Sequence, residues 1–324
     1  MIGRGLDARW FMGMKILGGL AFVALTLAAC GGGGGGSGVA PPPAVLSDTE
    51  LAEVRSDERV VRLGEILGRA DALLLTSARA RYSLEGGGET LAEDLVDAFS
   101  CTGARCEAAD GTAISVTDLT GSAADLGVRL SEAALATRGG FDATTTRGRL
   151  DITDESEEGV RVIAAPTVES YGFWGAHGYA ALELGEGPLT GEVEGTAVSG
   201  RFAFARAYAA GAASGSNPAG TGSATWSGIV EASPAGAFAR LQGTVTVTIA
   251  DLSRPRVGVS VSVPGHSVGA PGWADMPLLM GRFSTGTMGS DYLEGDFHGP
   301  GHEEAWGVFD TQEYLGAFGA KRAP

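Results

Sequence analysis

The chain has 324 residues, of which 39 are acidic and 23 basic, and a formal net charge of −16. This acidity argues against nucleic-acid binding and against electrostatic attraction to anionic membranes. The 53 glycines do not favour long helices, and the length allows one large domain or two modest ones.

Residues 1–29 have the pattern of a lipoprotein signal peptide. Basic residues precede an apolar run, Ile16 to Ala29, that is too short to span a bilayer comfortably. The run ends at Cys30 in the sequence Leu-Ala-Ala-Cys, which resembles the lipobox of bacterial lipoproteins, where the cysteine is lipidated. Cleavage before an unmodified residue is the alternative. Residue 31 is Gly and not the Asp that holds many such lipoproteins in the inner membrane. We therefore expect an outer-membrane lipoprotein, on the periplasmic face or the cell surface.

Cleavage before Cys30 would leave a net charge of −18, because residues 1–29 contribute +2. Residues 30–46 are rich in Gly and Pro, which predicts a tether without a core. Ser47 and Glu50 then have the spacing of a capping box. The apolar pattern that follows predicts one amphipathic helix or two, ending near Arg81. We interpret residues 47–165 as an N-terminal α+β region.

Two further cysteines, Cys101 and Cys106, are separated by four residues. If Cys30 is lipidated, they form an even pair in an oxidising compartment, which favours a disulfide across a tight hairpin. A metal pair is the alternative, although no other cysteine is available and the nearest histidine in the sequence is His177.

Short strands are expected in the rest of this region. Residues 95–101 and 114–119 could flank the hairpin of the two cysteines. Residues 129–138 and 147–152 could pair across Gly139 and Gly140.

The last third of the chain has the clearest strand pattern, which predicts an antiparallel barrel over residues 166–324. Valines alternate with small residues from Val257 to Val263, and four glycines each stand two residues before a Phe. Each such Gly leaves space over which a ring from a neighbouring strand can lie. Eight strands result, the smallest number that closes a filled barrel, and a two-sheet sandwich is the alternative. The expected strands are Arg201–Tyr208, Ala224–Glu231, Phe238–Ala250, Val257–Val263 and those of the pairs Gly281/Phe283, Gly295/Phe297, Gly307/Phe309 and Gly316/Phe318.

The final strands resemble the C-terminal signature of transferrin-binding-protein-B-like lipoproteins. The resemblance covers roughly residues 190–322 and is carried by Leu293–Gly299, Glu304–Phe309 and Gly316–Arg322, the last reading GAFGAKR. It implies an eight-stranded barrel beside a smaller handle domain. It also implies a non-catalytic protein of the cell surface, since known members bind host iron proteins, haem or complement regulators. Variable loops provide the ligand contacts in that family, so no binding residue carries over.

The densest aromatic cluster lies in residues 171–179, with Tyr171, Phe173, Trp174 and His177. Aromatic residues dominate binding hot spots, so the cluster is a candidate contact patch. The alternative is packing, with Phe173 in the base of the barrel and Trp174 beneath the N-terminal region. Haem binding through His177 is a weaker variant.

Three further motifs contain residues that could bind a partner or carry chemistry. Trp273 lies in a loop, residues 271–277, that could bind a partner or form a lid over the barrel end. Ser267 fits the G-x-S-x-G pattern of a serine esterase, but no helix pattern follows it directly. His298 and His302 flank Gly-Pro-Gly and could hold a metal, although a polar turn is the preferred interpretation.

The sequence therefore predicts a mainly β lipoprotein of the outer membrane that is not an enzyme and needs no cofactor or metal. Its function is expected to be binding of a protein or of a small iron-related ligand. A structural envelope protein without a dedicated ligand is the competing class, and an esterase using Ser267 is the third.

Overall fold

The computed structural model describes residues 44–324 with internal gaps at 77, 86–88, 95–98, 103–104, 109–112, 116–118, 120–127, 151, 156–159, 194–195, 270 and 287–290. The expected signal peptide, the lipidation site Cys30 and the tether as far as residue 43 lie outside the described residues. Within the described part of the chain, no helix is both long enough and apolar enough to cross a bilayer.

Two short helices open the described part of the chain: α1 (Asp48–Ser56) and α2 (Glu58–Leu67). The capping box is confirmed. Ser47 Oγ accepts from the backbone N–H of Glu50 at 3.3 Å, and the backbone N–H of Ser47 donates to Glu50 Oε2 at 2.8 Å. The amphipathic pattern of α2 buries Leu63, Ile66 and Leu67.

Thirteen strands of the described residues form the first sheet, and all of their pairings are antiparallel. They are β1 (Ala72–Leu75), β2 (Ala78–Leu84), β3 (Glu89–Asp94), β4 (Phe99–Thr102), β5 (Arg105–Ala108), β6 (Ala113–Ser115), β7 (Val128–Arg138), β8 (Phe141–Leu150), β9 (Ile152–Glu155), β10 (Val160–Ala164), β11 (Thr167–Trp174), β12 (Gly178–Val193) and β13 (Thr196–Gly211). The helix expected to continue to Arg81 is wrong beyond Leu67, because β1 and β2 pair with the long strand β13. The expected hairpin across Gly139 and Gly140 is formed by β7 and β8, although its second strand is Phe141–Leu150 and not residues 147–152.

In the described part of the chain, nine strands form the second sheet: β14 (Ala224–Pro234), β15 (Leu241–Ile249), β16 (Arg256–Val263), β17 (His266–Val268), β18 (Met276–Leu279), β19 (Arg282–Ser284), β20 (Asp291–His298), β21 (Glu304–Thr311) and β22 (Tyr314–Arg322). The order runs β15-β14-β22-β21-β20-β19-β18-β16, and β15 pairs with β16 to close the ring. The short β17 pairs with β16 alone. The predicted fold class, a mainly β chain with a closed eight-stranded antiparallel barrel, is confirmed.

One of the eight expected barrel strands is wrong. Residues 201–208 lie in β13, which pairs with β12 over sixteen residues of the first sheet. A hairpin between neighbouring strands has a small loop-closure cost, and it takes this segment away from the barrel. The eighth strand is instead β18, in the segment that directly follows Trp273. Strands β11 to β13 belong to the first sheet, and the division into domains at residue 166 stays a prediction.

The expected packing of rings over glycines explains how the barrel wall closes. A Cβ on Gly295 would lie 2.5 Å from a ring carbon of Phe283, and one on Gly316 would lie 2.5 Å from Phe309. Gly307 has the same relation to Phe318 on the neighbouring strand. The fourth glycine, Gly281, occupies a turn with φ of +84° and lies outside the strands.

The molecule is layered, with α2 on one face of the first sheet and the barrel on the other. One apolar cluster joins Leu63 and Ile66 of α2 to Trp174 of the sheet. A second joins Phe173 of the same strand to Trp306 on the outer wall of the barrel. A third fills the barrel interior, with Trp226, Trp273, Phe283, Phe297, Phe309 and Phe318 among its members.

Replacing Gly307 with Ala should lower the free energy of unfolding by about 1–3 kcal/mol, the usual cost of forcing extra volume into a packed core. The new methyl group would press on the Phe318 ring and on the backbone carbonyl of Glu294. Urea unfolding of the variant measures the change. Ser262→Ala, at an exposed strand position, should stay within about 0.5 kcal/mol of the parent. Equal stability of the two variants would contradict the packing described for Gly307.

Candidate binding site

A buried carboxylate ties the barrel to the first sheet. Glu304 begins β21 and is 3% exposed. It accepts hydrogen bonds from the backbone N–H groups of Ala176 at 2.8 Å and His177 at 3.0 Å, and from Trp306 Nε1 at 3.0 Å. Three donors satisfy a buried charge that would otherwise be costly. Glu304 therefore fixes the turn between β11 and β12, and with it the backbone of His177.

Glycines at the two ends of that turn make the close approach feasible. A Cβ on Gly175 would collide with the Glu304 carboxylate, and one on Gly178 would enter the indole of Trp306. The sequence around His177 is thus rich in glycine because the turn lies directly on the outer wall of the barrel.

Ion pairs join the two sheets elsewhere. Arg79 of β2 donates to Asp310 of β21, and Arg138 of β7 donates to Glu231 of β14. Glu231 also binds Arg240 at 2.7 and 2.8 Å and is 2% exposed. These pairs bury carboxylates of the barrel against arginines, most of which belong to the first sheet.

The aromatic residues proposed as a contact patch are buried. Tyr171 is 8% exposed, Phe173 1% and Trp174 0%. Phe173 packs against Trp306 with ring centroids 5.6 Å apart, and Trp174 packs under α2. Trp174 thus lies beneath α2, as the packing interpretation has it, whereas Phe173 packs on the outer wall of the barrel and not in its base. Of the four, His177 alone is partly exposed.

Trp273 packs into the barrel interior. It lies in a short 3-10 helix, Pro271–Ala274, and is 1% exposed. Its ring lies 5.5 Å from that of Phe309, and its Nε1 donates to the carbonyl of Asp291 at 3.0 Å. The segment therefore inserts a ring into the barrel interior.

Ser267 does not lie on a nucleophile elbow. It is an exposed residue of β17, where it pairs with Ser262 across a tight hairpin. A nucleophile elbow needs a sharp turn that leads from a strand into a helix. The neighbouring His266 points its Nδ1 to the hydroxyl of Tyr314, 3.0 Å away.

The two histidines that flank Gly-Pro-Gly have different surroundings. His298 is 3% exposed, and its ring lies against Gly211 of the first sheet. His302 Nε2 lies 2.9 Å from the carbonyl oxygen of Ser216, and its ring packs edge-on against Phe297. Among the described residues, no group of three or more His, Cys, Asp or Glu side chains is arranged to hold a metal ion.

Cys101 and Cys106 are direct partners in the antiparallel register of β4 and β5. Directly opposite residues in such a ladder have Cα atoms about 4.5–5.5 Å apart, which is within the range that a disulfide requires. The disulfide stays a prediction, and the register is compatible with it.

A cavity of about 280 Å³ lies beside His177. Four segments meet there: the end of α2, the β11–β12 turn, the chain after β13 and the β20–β21 turn. The lining residues are Ile66, Arg69, His177, Ala212, Ala213, Ser214, Gly299 and Pro300. The cavity is the part of the described structure where a predicted binding residue, His177, reaches a concave surface.

An apolar turn projects near this cavity. Leu279 is 74% and Met280 66% exposed. Met280 has a φ of +53°, a conformation that is uncommon for residues other than glycine. Asn217 holds the turn by accepting from the N–H of Gly281 at 2.8 Å and donating to the carbonyl of Leu278 at 3.3 Å. A Cβ on Gly281 would lie 2.7 Å from Oγ of Ser214, a residue that lines the cavity.

Sequence reasoning missed Arg69, Ser214 and the Leu279–Met280 turn. Arg69 looks like any charged residue near the end of an amphipathic helix, and Ser214 lies in a run of small residues. The Met-Gly pair at a two-residue turn between short apolar segments was the one available signal for the exposed tip.

In comparisons with known proteins, this chain is similar to several solved structures. No protein-family profile and no curated protein matches the chain. The intact TbpB called Ap-TbpB matches with 11% identity and a TM-score of 0.30, over 77% of this chain and 46% of that one. Transferrin binding protein B of Haemophilus parasuis matches with 12% identity and a TM-score of 0.28, over 72% of this chain and 48% of that one.

A protein with unknown function from Nostoc punctiforme also matches, with 10% identity and a TM-score of 0.23, over 78% of this chain and 96% of that one. The chain thus spans about half the length of the two TbpB chains. Both are transferrin-binding proteins B, the type that the last strands of this chain resemble. At 10–12% identity the likeness concerns the fold alone.

Replacing Glu304 with Gln should destabilise the protein by roughly 1.5–3 kcal/mol, the range for a hydrogen-bonded charged group. In the parent protein, three N–H donors bind the Glu304 carboxylate. The side-chain amide of the variant has an NH₂ group in place of one carboxylate oxygen, and this group cannot accept a hydrogen bond from them. Urea unfolding gives the change, with Glu53→Gln on the exposed side of α1 as the matched control. A loss no larger than the control's would contradict the tying role of Glu304.

Burial lowers the pKa of His298 to about 4, against opposing effects of nearby backbone carbonyls. The unfolded chain therefore binds this proton below about pH 6.5, whereas the folded protein binds it only near pH 4. Stability should fall as the pH falls through this window, by roughly 3 kcal/mol. In His298→Gln this component should be absent from unfolding curves measured at pH 7 and 4, whereas the partly exposed His302→Gln should retain it. An unchanged pH dependence in His298→Gln would show that His298 is not buried in its neutral form.

Proposed function

We propose that this chain is a lipid-anchored binding protein of the cell envelope, without catalysis, and that it engages its ligand at the His177 cavity. The observation that carries the proposal is the cavity itself, which has a volume of about 280 Å³ and is lined by Arg69 and His177 among other residues. Concave sites with a few convergent polar groups are the usual form of binding sites. The acylation signal at Cys30 supports anchoring in the outer membrane.

The size of the cavity bears on the kind of ligand. Sites for drug-sized molecules usually have about 300–1,000 Å³, so this cavity is at or below the lower limit. It is suited to a small group, or to one side chain of a protein, more than to a whole porphyrin. Haem binding through His177 is therefore the weaker variant, and a Soret shift that is lost in His177→Ala would support it.

The exposed turn beside the cavity favours a protein partner. Leu279 and Met280 are largely exposed, and Met280 has an uncommon positive φ in a turn that Asn217 holds through hydrogen bonds. An apolar tip that Asn217 holds beside the cavity lined by Arg69 and His177 provides the anchor and the pocket that protein interfaces combine. We therefore place the partner's contact on this end of the molecule.

A structural envelope lipoprotein without a ligand is the second candidate. The burial of Trp174 and Trp273 favours it, since both rings serve packing. The two candidates differ in what they predict for the tip: a binding protein loses its partner when the tip is changed, and a structural protein does not.

In a Gram-negative host, the full chain should incorporate an alkyne-tagged fatty acid and fractionate with the outer membrane, and Cys30→Ala should do neither. Gel fluorescence after membrane fractionation measures both. Cys101→Ala is the matched control and should label as the parent does. Labelling of Cys30→Ala, or none of the parent, would contradict lipid anchoring.

For the binding role, full-length protein in mild detergent should retain a cross-linked partner from its native envelope, and Leu279→Ser/Met280→Ser should not. Quantitative mass spectrometry of the captured proteins gives the ratio. Val61→Ser, a similarly exposed apolar residue on α2, is the control. Equal capture by the tip variant and the parent would rule out this end as the contact.

A further inference from the structure

We infer that the His177 cavity binds a carboxylate carried on a short apolar stem, with the guanidinium of Arg69 as its partner. The inference deepens the proposed function and rests on it, because it names the chemistry that the same cavity takes.

Arg69 supplies the positive charge. Its Nε donates to the backbone carbonyl of Glu65 at 3.1 Å, which fixes the side chain at the end of α2. Within the described residues, no carboxylate forms an ion pair with its guanidinium. A guanidinium presents a planar fork of donors that matches a carboxylate with two parallel hydrogen bonds. Arg69 thus adds a positive charge to the lining of the cavity.

The surroundings of His177 limit how much negative charge the cavity tolerates. The His177 ring lies close to Gly299, where a Cβ would be 2.7 Å from its Cδ2 and would collide with the carboxylate of Glu303. A hydrogen bond from the N–H of Gly301, at 2.9 Å, holds Glu303 in place. The fixed carboxylate beside His177 repels any bound anion in proportion to its charge, so a monoanion held by Arg69 is opposed less than a dianion. A phosphate, with a charge of about −1.5 to −2 at pH 7, fits less well.

The rest of the lining is mostly apolar, with Ser214 as a polar member. Ile66, Ala212, Ala213 and Pro300 line the cavity, and Ile66 is 2% exposed. Burial of a few methylene or ring carbons against such walls contributes about 0.8 kcal/mol per CH₂. The carboxylate could belong to a free small acid or to the C-terminus of a protein partner. Both sources share the chemistry of a single carboxylate on a short apolar stem.

Calorimetric titration of the full chain in detergent tests the inference at low salt. The probes are butyrate, benzoate and a short peptide ending in Leu with a free carboxylate, each compared with its amide. We expect at least one acid to bind and its amide to bind at least tenfold more weakly. Arg69→Gln should weaken binding of that acid at least tenfold, which corresponds to about 1.4 kcal/mol. The control Arg254→Gln removes an arginine whose side chain is 91% exposed and should bind as the parent does.

The outcomes distinguish a free small acid from a protein C-terminus, and they also test whether Arg69 binds a carboxylate. Binding of butyrate or benzoate supports a free acid as the source, and binding of the peptide acid alone supports a protein C-terminus. Equal binding of acids and amides, or binding that Arg69→Gln leaves intact, overturns the inference. Inorganic phosphate binding more tightly than every acid also overturns it. Retention of an envelope partner that the tip variant loses would leave the proposed function standing in each of these cases.

Discussion

Both faces of β21 are buried, and the rest of the structure depends on this constraint. Ala305 and Phe309 belong to the core inside the barrel, whereas Trp306 and Val308 belong to the core between the barrel and the first sheet. A strand with apolar residues on both faces cannot be solvated on either side. The barrel wall and the first sheet are therefore parts of one packed body, joined along this strand.

The polar residues of β21 fix how the two sheets meet. Glu304 at one end receives two backbone N–H groups of the β11–β12 turn, and Asp310 near the other end receives Arg79 of β2. Apolar packing alone is non-directional, and such charged hydrogen bonds supply the orientation. The position of His177 follows from this arrangement, because its own N–H is one of the groups that Glu304 holds. The cavity beside it therefore lies where the two sheets meet, and segments far apart in the chain line it.

The parts of the fold that were predictable have local periodic signals. The Gly-x-Phe spacing and the alternating valines of β16 predict the barrel, since both patterns repeat with the two-residue period of a strand. The assignment of residues 201–208 failed because pairing partners are not encoded in periodicity, and β13 has apolar residues on both faces. For the same reason the aromatic cluster could not be placed: Phe173 and Trp174 point to opposite faces, and both faces are covered by other layers. Exposure of a ring depends on what packs over it, which only the tertiary arrangement decides.

A carboxylate that binds to this strongly acidic protein has to overcome repulsion from the protein's net negative charge. The overall negative charge repels an anionic ligand at long range, so electrostatic steering cannot assist its approach. Attraction has to come from within a few ångströms of Arg69, where contact with protein walls lowers the effective dielectric constant and screening by salt is weak. The site is selective because two effects oppose each other. The net negative charge of the protein repels polyanions most strongly, whereas the guanidinium of Arg69 attracts a single carboxylate at short range. The acidic surface and the Arg69 cavity then act together, one excluding highly charged ligands and the other retaining a small acid or a chain terminus.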